Sequence, residues 1–306
     1  MSLPHGNRVA IITLSRDNPE ELFTTVRSVK LQSTPPDQHI VLDSSKKAHQ
    51  HEMRAIAEAG GAEYHWVEPR GIYPAMHHSL SLPKPGSYLW WLNSSDRLAG
   101  TNSIELAKVA IDASQVKSKG HWVIGQLIRA KGMALSLHRI GDTGEKFAGL
   151  LEKGLTGLPH PSTLFYSSSL DSERTYLGPR QIAEDYALGL QFLDQWGPPY
   201  VSPAPLAVHA LNGFSYQRPI RDVWEKIKTR RSLAENWTLI EEMRVLLSTL
   251  PLGFIERLSG LAVHRIPSNW WDRQNWGSVH FCSEPGALSW PFCCDAVIGS
   301  LQDRPK

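Results

Sequence analysis

The sequence predicts an α/β fold whose mostly parallel sheet is flanked by helices, and two observations support it. Apolar runs of strand length alternate with amphipathic helical segments over residues 8–115, which is typical of parallel strands joined by right-handed crossovers. Two of the apolar runs are followed by a carboxylate, Asp43 and Asp96. Ligands of open parallel sheets bind beyond the carboxyl ends of the strands, so this edge is the expected site.

The first strand and helix follow from local signals. Residues 8–14 (RVAIITL) form a continuous apolar run, as expected for a strand buried on both faces. Asn18 can cap a helix, Pro19 fits the first helical turn, and Glu21 lies three residues after the cap. The apolar positions that continue at helical spacing are Leu22, Val26 and Val29.

The same reasoning predicts the remaining elements of the first half. They are a strand at 39–43, a helix at 47–59 ended by two glycines, a strand at 63–67, a helix through 72–80, a central strand at 87–92 and a short strand at 121–125.

The second half is less regular. Residues 141–157 carry five glycines and little periodicity, so we expect a loop. Ile182, Tyr186, Leu190 and Leu193 indicate an amphipathic helix, followed by irregular, strand-like residues 200–218. Residues 220–250 have a helical pattern, and 265–306 are rich in Pro, Gly and Trp. We therefore expect a domain at 1–218 and a helical to irregular extension at 219–306.

The composition excludes several classes of protein. The 306 residues carry a net charge of +2 without a long basic run, which argues against nucleic-acid binding. The sequence contains no apolar stretch of about 18 residues, so no transmembrane helix is expected. Residues 1–8 lack the apolar core of a signal peptide. Cys282, Cys293 and Cys294 form neither a disulfide framework nor a zinc motif. We expect a cytoplasmic protein.

Three carboxylates are candidates for chemistry. Asp43 and Asp96 each end an apolar run, where they could bind a divalent cation or a nucleotide, or cap the following helix. Asp185, beside Glu184, opens a predicted helix. The positive end of the helix favours the ionised form of Asp185, which a general base needs. The alternative is that the carboxylate only stabilises the first turn of the helix by its charge. Motifs for a nucleophilic serine or a glycine-rich phosphate loop are missing from the sequence.

Several segments, in order, resemble the family 2 glycosyltransferases of GT-A fold, with the nearest likeness to the bacterial polysaccharide, colanic-acid-type branch. The opening strand is followed by an "S-V-x-x-Q" helix end that Gln32 completes. The other matching segments are residues 40–45 (IVLDSS), 68–76 (EPRGIYPAM), 92–96 (LNSSD), 160–166 (HPSTLFY), 182–186 (IAEDY) and 212–215 (NGFS).

The resemblance implies a site and a reaction. It implies inverting transfer of a sugar from a nucleotide-sugar donor to a saccharide or lipid-linked acceptor, in polysaccharide or glycolipid biosynthesis. Asp185 is the implied catalytic base, and Asp96 the implied ligand of Mn²⁺ or Mg²⁺. The implied nucleotide-binding residues are Thr13, Asp43, Arg70 and Asn93. The residues expected to support the site or meet the acceptor are Glu184, His160 and Tyr73.

The sequence departs from the family pattern at several positions. Pro74 replaces an Asp, His77 replaces an Asn, and Asn93 and Ser95 occupy positions that are acidic in the family. Asp96 is thus the one carboxylate left in that motif, so metal affinity is expected to be weak, with the diphosphate supplying most ligands. Two alternatives stay open: a nucleotide-sugar-binding protein without catalysis, and a partner-binding protein that assembles through its Trp-rich tail.

The C-terminal region suggests a surface. Six Trp residues follow residue 220, beside the basic run 226–231 (KIKTRR) and an aliphatic stretch from Leu246 to Leu261. These features predict peripheral attachment to anionic lipid at the inner face of a membrane. Packing against the catalytic domain or a second subunit, with the basic run a solvated helix face, is the alternative.

Overall fold

A computed structural model describes residues 6–131, 134–138, 140–173, 175–176, 178, 180, 182–211, 218–233 and 242–243. The strands are β1 (Val9–Ser15), β2 (Gln38–Asp43), β3 (Glu63–Trp66), β4 (Tyr88–Trp91), β5 (Arg97–Leu98), β6 (Trp122–Lys131), β7 (Ala134–His138), β8 (Thr163–Tyr166) and β9 (Tyr200–Ala210). The α-helices are α1 (Pro19–Lys30), α2 (Lys47–Ala59), α3 (Ile72–Ser79), α4 (Ser103–Lys117), α5 (Gly144–Glu152), α6 (Glu184–Trp196) and α7 (Pro219–Leu233).

The nine strands form one sheet in the order β3-β2-β1-β4-β8-β6-β9-β5, with β7 paired to β6. β3, β2, β1 and β4 are parallel, whereas β8 runs antiparallel between β4 and β6. β9 returns parallel to β6. The predicted α/β class and the central place of β4 are therefore confirmed. The antiparallel strands of the second half were not predicted.

Side-chain alternation along the parallel strands places helices on both faces of the sheet. Val41 packs with Leu22 of α1 and Met53 of α2, whereas the next residue, Leu42, joins the core that contains Met76 of α3. Successive residues of a strand point to opposite faces, so two layers of helix cover this sheet. Every residue of β1 and of β4 is buried, as expected for strands enclosed on both sides.

The prediction of a loop over residues 141–157 is wrong, because α5 forms within it. Thr143 caps this helix by accepting a hydrogen bond from the Lys146 amide, and Phe147 and Leu151 are buried one turn apart. Of the glycines that suggested a loop, Gly141 has a φ of 135° at the entrance of the helix. The glycine count thus reflected a turn around a short helix rather than a missing one.

The strand β9 is longer and more regular than the sequence predicted. Two prolines, Pro203 and Pro205, lie in it, and each lacks the amide that a ladder needs. The register with β6 shifts between Ile124 and Gln126 and again before Leu127, so the pairing accommodates Pro205 opposite Gln126. The strand then continues to Ala210.

The C-terminal region is described only through α7 and residues 242–243. Within it, two members of the basic run are paired: Lys226 lies 2.7 Å from Asp222, and Arg231 bonds Glu242. The described helices include none that is long and apolar enough to cross a membrane. The segment 212–215, the stretch 246–261, the three cysteines and most of the Trp-rich tail lie outside the described residues. The domain boundary at residue 218 stays a prediction.

Candidate functional site

The carboxyl ends of β2, β1 and β4 meet at one edge of the sheet. Ser15 pairs with Asp43, and the Ser94 amide donates to the Leu14 carbonyl at 2.9 Å. The segments that carry Asp43 and Asp96 therefore flank the end of β1 on both sides. This is the shared edge that the strand pattern predicted.

Two buried polar atoms at this edge have no hydrogen-bond partner within the described part of the chain. They are the Ser15 hydroxyl oxygen at the end of β1 and the Asn93 side-chain oxygen after β4. Buried polar groups are normally paired, because an unpaired one costs about 1–3 kcal/mol. These two atoms are therefore suited to meet a polar ligand.

The edge also contains strained backbone. Asp17 follows β1 with a φ of 53°, and Ser95 follows β4 with a φ of 81°. The third non-glycine residue with positive φ in the described chain is Tyr176, at 61°, and its ring packs edge-on against Trp91 at the end of β4. Such conformations cost on the order of 1–3 kcal/mol each and cluster at functional sites.

Asp96 is buried and held by β9. Its Oδ1 accepts a hydrogen bond from the Ala210 amide at 3.1 Å and lies 2.8 Å from His209 Nδ1. Thr25 of α1 donates to the Asp96 carbonyl at 2.7 Å, which fixes the strained turn from the other side. Asp96 Oδ2 makes no hydrogen bond to any described residue, so this oxygen is available to a ligand.

His209 was missed by the sequence reasoning. It is half-buried near the end of β9 and shares the environment of Asp96. The signal was present, because apolar residues of strand type dominate residues 200–210 and place a lone His near the strand end. The prolines in the segment obscured that pattern.

The other predicted nucleotide ligands have different surroundings. Thr13 is completely buried two residues before the end of β1 and lies 3.1 Å from His39 Nε2. Asp43 has no exposed surface and accepts hydrogen bonds from the Ser45 amide and hydroxyl and from the Tyr64 hydroxyl. It therefore holds the turn after β2.

Arg70 lies beyond the turn that follows β3. Its side chain is 73% exposed and 2.6 Å from Glu68. Salt bridges between exposed groups contribute little, about 0–1 kcal/mol, so this guanidinium is free to exchange its partner for a ligand anion.

Asp185 is the second residue of α6 and has few partners. It is half-buried, and its Oδ1 accepts from the Tyr186 amide at 2.7 Å. Burial raises the pKa of Asp185 to about 7, which the charge of Lys226 opposes and that of Asp222 reinforces. A carboxylate with a pKa near neutrality is a more effective proton acceptor than an ordinary Asp.

Glu184, the neighbour of Asp185, is bonded to Arg180. Its Oε1 accepts from the Arg180 amide at 3.0 Å and from the Arg180 guanidinium at 3.1 Å. A Cβ built on Gly178 would lie 2.0 Å from that oxygen, so the carboxylate fills the space beside this glycine. Glu184 therefore holds the segment before α6, which leaves Asp185 as the available carboxylate.

An aromatic group links Asp185 to the end of β4. Tyr73 of α3 stacks on Tyr176 with ring centroids 5.6 Å apart, and His160 stacks on Trp91 at 5.6 Å. Burial lowers the pKa of His160 to about 3, so its imidazole is neutral, and its Nε2 lies 2.9 Å from the Tyr176 hydroxyl. The charge of Asp185 acts on both tyrosines, so this aromatic group connects the surroundings of Asp185 with the end of β4.

The described residues include no group of three or more His, Cys, Asp or Glu side chains that could hold a metal ion. Asp96 and His209 nevertheless fit as two ligands. Their facing atoms, Asp96 Oδ1 and His209 Nδ1, are 2.8 Å apart, a hydrogen-bond distance that is also close to the separation of about 3 Å between neighbouring ligands of an octahedral ion at about 2.1 Å. An ion bound by both side chains would replace the proton that they share. The remaining positions would have to come from a ligand or from water.

A cavity of about 800 Å³ lies elsewhere in the molecule. It is lined by the end of α4, the start of α5 and the start of β9, including Trp196 and Tyr200. The cavity lies at the start of β9, whereas His209 lies near the end of this 11-residue strand. The cavity is therefore away from the edge that carries His209 and Asp96. Its lining includes none of the carboxylates at the strand ends, so we place the candidate site at the strand ends on chemical grounds.

Comparison with known proteins identifies the fold. No family model matches the sequence, and no curated protein matches it. Among solved structures, TarS from S. aureus matches with a TM-score of 0.58 at 13% identity, over 86% of this chain and 46% of that chain. A complex of TarS 1–349 with UDP-GlcNAc matches with a TM-score of 0.56 at 12% identity, over 87% of this chain and 79% of that chain.

Two further structures share the arrangement. The mannosyltransferase PcManGT from Pyrobaculum calidifontis, in complex with GDP-Man and Mn²⁺, has a TM-score of 0.51 at 15% identity, over 86% of this chain and 77% of that chain. Glucosyl-3-phosphoglycerate synthase from Mycobacterium tuberculosis, in complex with Mn²⁺ and UDP, has a TM-score of 0.50 at 17% identity, over 76% of this chain and 82% of that chain. The chain therefore has the GT-A fold of these glycosyltransferases, and it spans less than half of the first TarS chain that it matches.

Proposed function

We propose that the protein is an inverting glycosyltransferase that moves a sugar from a nucleoside-diphosphate sugar to an acceptor hydroxyl. One observation carries the proposal. Two carboxylates lie in unlike environments in a GT-A fold: Asp96 follows β4, and Asp185 acts electrostatically on Tyr176, whose ring packs against Trp91 at the end of β4. Asp96 is buried and bonded to His209 and the Ala210 amide, whereas Asp185 is half-buried with a raised pKa. Unlike environments give two carboxylates different roles.

The nucleotide of the donor would lie across the ends of β1 and β4. The unpaired Ser15 and Asn93 oxygens would contact it there. Ser15 takes the role that the resemblance assigned to Thr13, because Thr13 is buried and already bonded. Asp43 would act by holding the turn after β2, and Arg70 is the exposed cation expected to meet the phosphates.

Asp96 and His209 are the residues that would hold a divalent cation. Such a cation neutralises charge on a departing nucleoside diphosphate. Two neighbouring solved structures contain Mn²⁺, which supports this assignment. With two protein ligands, binding of the ion should depend on the oxygens of the donor, as the reduced acidic motif predicts.

Asp185 would act as the general base. Its carboxylate takes the proton of the acceptor hydroxyl while that oxygen bonds to the anomeric carbon. The bond from the anomeric carbon to the diphosphate oxygen breaks on the opposite face, and the anomeric configuration inverts. Because Glu184 is tied to Arg180, it would position this base rather than replace it.

The family 2 assignment, the polysaccharide branch and the acceptor belong to this proposal as well. A saccharide or lipid-linked acceptor would approach from the side of Asp185 and Tyr73. The neighbouring structures carry UDP-GlcNAc, GDP-Man and UDP, so uridine and guanosine are the first bases to test.

Nucleoside-diphosphate binding is expected to raise the melting temperature. UDP and GDP should each be tested at millimolar concentration with Mn²⁺ and with EDTA. At 100 times Kd a ligand adds about 2.7 kcal/mol of apparent stability, and in a protein of this size that corresponds to several degrees. One of the two should give a larger shift with Mn²⁺ than with EDTA, and uridine and guanosine are the matched controls.

The controls distinguish the alternatives. A shift with diphosphate and no release of nucleotide from UDP-GlcNAc or GDP-Man would favour a binding protein without catalysis. No shift with either diphosphate would contradict the proposed function.

A further inference from the structure

The helix that carries the proposed base, α6, has no side-chain cap at its N-terminus. α6 begins after Ala183, whose side chain cannot accept a hydrogen bond. Helix N-termini leave several amides unpaired, and a Ser, Thr, Asp or Asn usually accepts from one of them. The acceptor here comes instead from α7, outside every motif of the family resemblance.

Glu225 of α7 supplies that acceptor. Its Oε2 accepts from the Ile182 amide at 2.8 Å and from the Ala183 amide at 3.2 Å. On the outer side its Oε1 accepts from Arg221 at 2.9 Å. One carboxylate oxygen thus holds two consecutive amides directly before Glu184 and Asp185.

A second contact from the same face of α7 fixes the preceding residues. Thr229 lies one helical turn after Glu225 and is completely buried. Its hydroxyl accepts from Arg180 Nε at 2.6 Å, and the same guanidinium bonds Glu184. The side chain of Arg180 and the amides of Ile182 and Ala183 are therefore attached to one face of α7.

The opposite side of the segment is held by α3. The Tyr73 hydroxyl donates to the Ile182 carbonyl, so the amide of Ile182 is held by α7 and its carbonyl by α3. This leaves the backbone before Asp185 little freedom to move. A base that is misplaced by about 1 Å can cost about a hundredfold in rate.

We propose that Glu225 is a positioning residue of the reaction centre: by holding the Ile182 and Ala183 amides it fixes Asp185 for proton transfer. The proposal rests on the function proposed above for Asp185. It also makes α7 a working part of the catalytic unit, although it lies beyond the boundary expected at residue 218.

The test compares three variants of the full chain. Glu225→Ala removes the acceptor, Glu225→Gln keeps an acceptor oxygen without the charge, and Arg221→Ala removes the outer ion pair only. Hydrogen exchange of the peptide that contains Ile182 and Ala183 reports the contact itself. Release of UDP from UDP-GlcNAc, or of GDP from GDP-Man, gives kcat and KM.

In Glu225→Ala these amides are expected to exchange about tenfold faster, because their partly buried hydrogen bonds to Glu225 are lost. It should lower kcat about tenfold to a hundredfold with the KM for the donor unchanged. Glu225→Gln should restore most of both, and Arg221→Ala should change neither. This separation of kcat from KM is not expected of general destabilisation.

The outcomes separate this inference from the proposed function. Unchanged exchange in Glu225→Ala overturns the inference whatever the activity. Faster exchange with normal kcat overturns the positioning role. Faster exchange in the variant, with no turnover by the wild type, supports the contact and overturns the proposed function instead.

Discussion

Replacement of Asp185 with Asn is expected to reduce the rate of sugar transfer about 10²–10⁴-fold, the usual cost of losing a general base. Asn is nearly isosteric and can still accept from the Tyr186 amide, as Asp185 does at 2.7 Å, so α6 should be retained. Donor binding should be unchanged, because the base acts on the acceptor. Release of nucleoside diphosphate under single-turnover conditions measures the rate.

The pH dependence provides an independent check. The pKa of Asp185 is raised to about 7, and the base works only when deprotonated. The wild-type rate should therefore rise with pH through about 7 and level off above it, and the Asn variant should lack this rise. Asp194→Asn, an exposed change on the same helix, is the matched control. A normal rate in Asp185→Asn would assign the base elsewhere.

Asp96→Asn is expected to weaken nucleoside-diphosphate binding when Mn²⁺ or Mg²⁺ is present by at least the ~10-fold that loss of an outer-shell partner of a metal ligand costs, because Asp96 is proposed to bind the ion directly. Asn retains an acceptor for the Ala210 amide, which Asp96 accepts at 3.1 Å, so the turn should persist while the negative ligand is lost. Titration calorimetry with UDP or GDP, with and without EDTA, measures the effect.

A partner variant refines this result. His209→Gln keeps a side chain of similar length and should lower the metal-dependent affinity less than Asp96→Asn does. If Asp96→Asn weakened nucleoside-diphosphate binding as much in EDTA as with the divalent ion, the carboxylate would serve only to hold β9 through Ala210 and His209.

Much of the first half of the fold could be predicted, because its signals are local. The helix predicted at residues 47–59 is α2 as observed. The four strands predicted before residue 93 end within one residue of the observed ends, whereas the short strand predicted at 121–125 is β6, which continues to Lys131. Continuous apolar runs mark strands that are buried on both faces, and carboxylates after those runs mark the carboxyl edge of the sheet.

The second half depends on pairing that a sequence pattern does not reveal. β8 has four residues (TLFY) and pairs antiparallel with both β4 and β6. Its length is too short for a clear alternation. β9 contains prolines, and its register with β6 shifts around Gln126. Its sequence therefore lacks the regular pattern that indicates a strand. Tertiary context decided both strands.

The candidate site shows the same limit. Asp96 and Asp185 belong to local motifs and could be singled out from sequence, whereas their partners are distant. His209 is 113 residues from Asp96, and Glu225 is 43 residues from Ile182. Only the sheet and the docking of α7 bring these side chains together, so spacing alone could not identify them.

A crystal structure with UDP or GDP and Mn²⁺ tests the central claim most directly. We expect the ion on Asp96 and His209 and the diphosphate beyond the end of β4, with Ser15 and Asn93 contacting the nucleotide and Asp185 facing the open side. Nucleotide bound instead in the cavity lined by Trp196 and Tyr200, or an ion bound without Asp96, would contradict it.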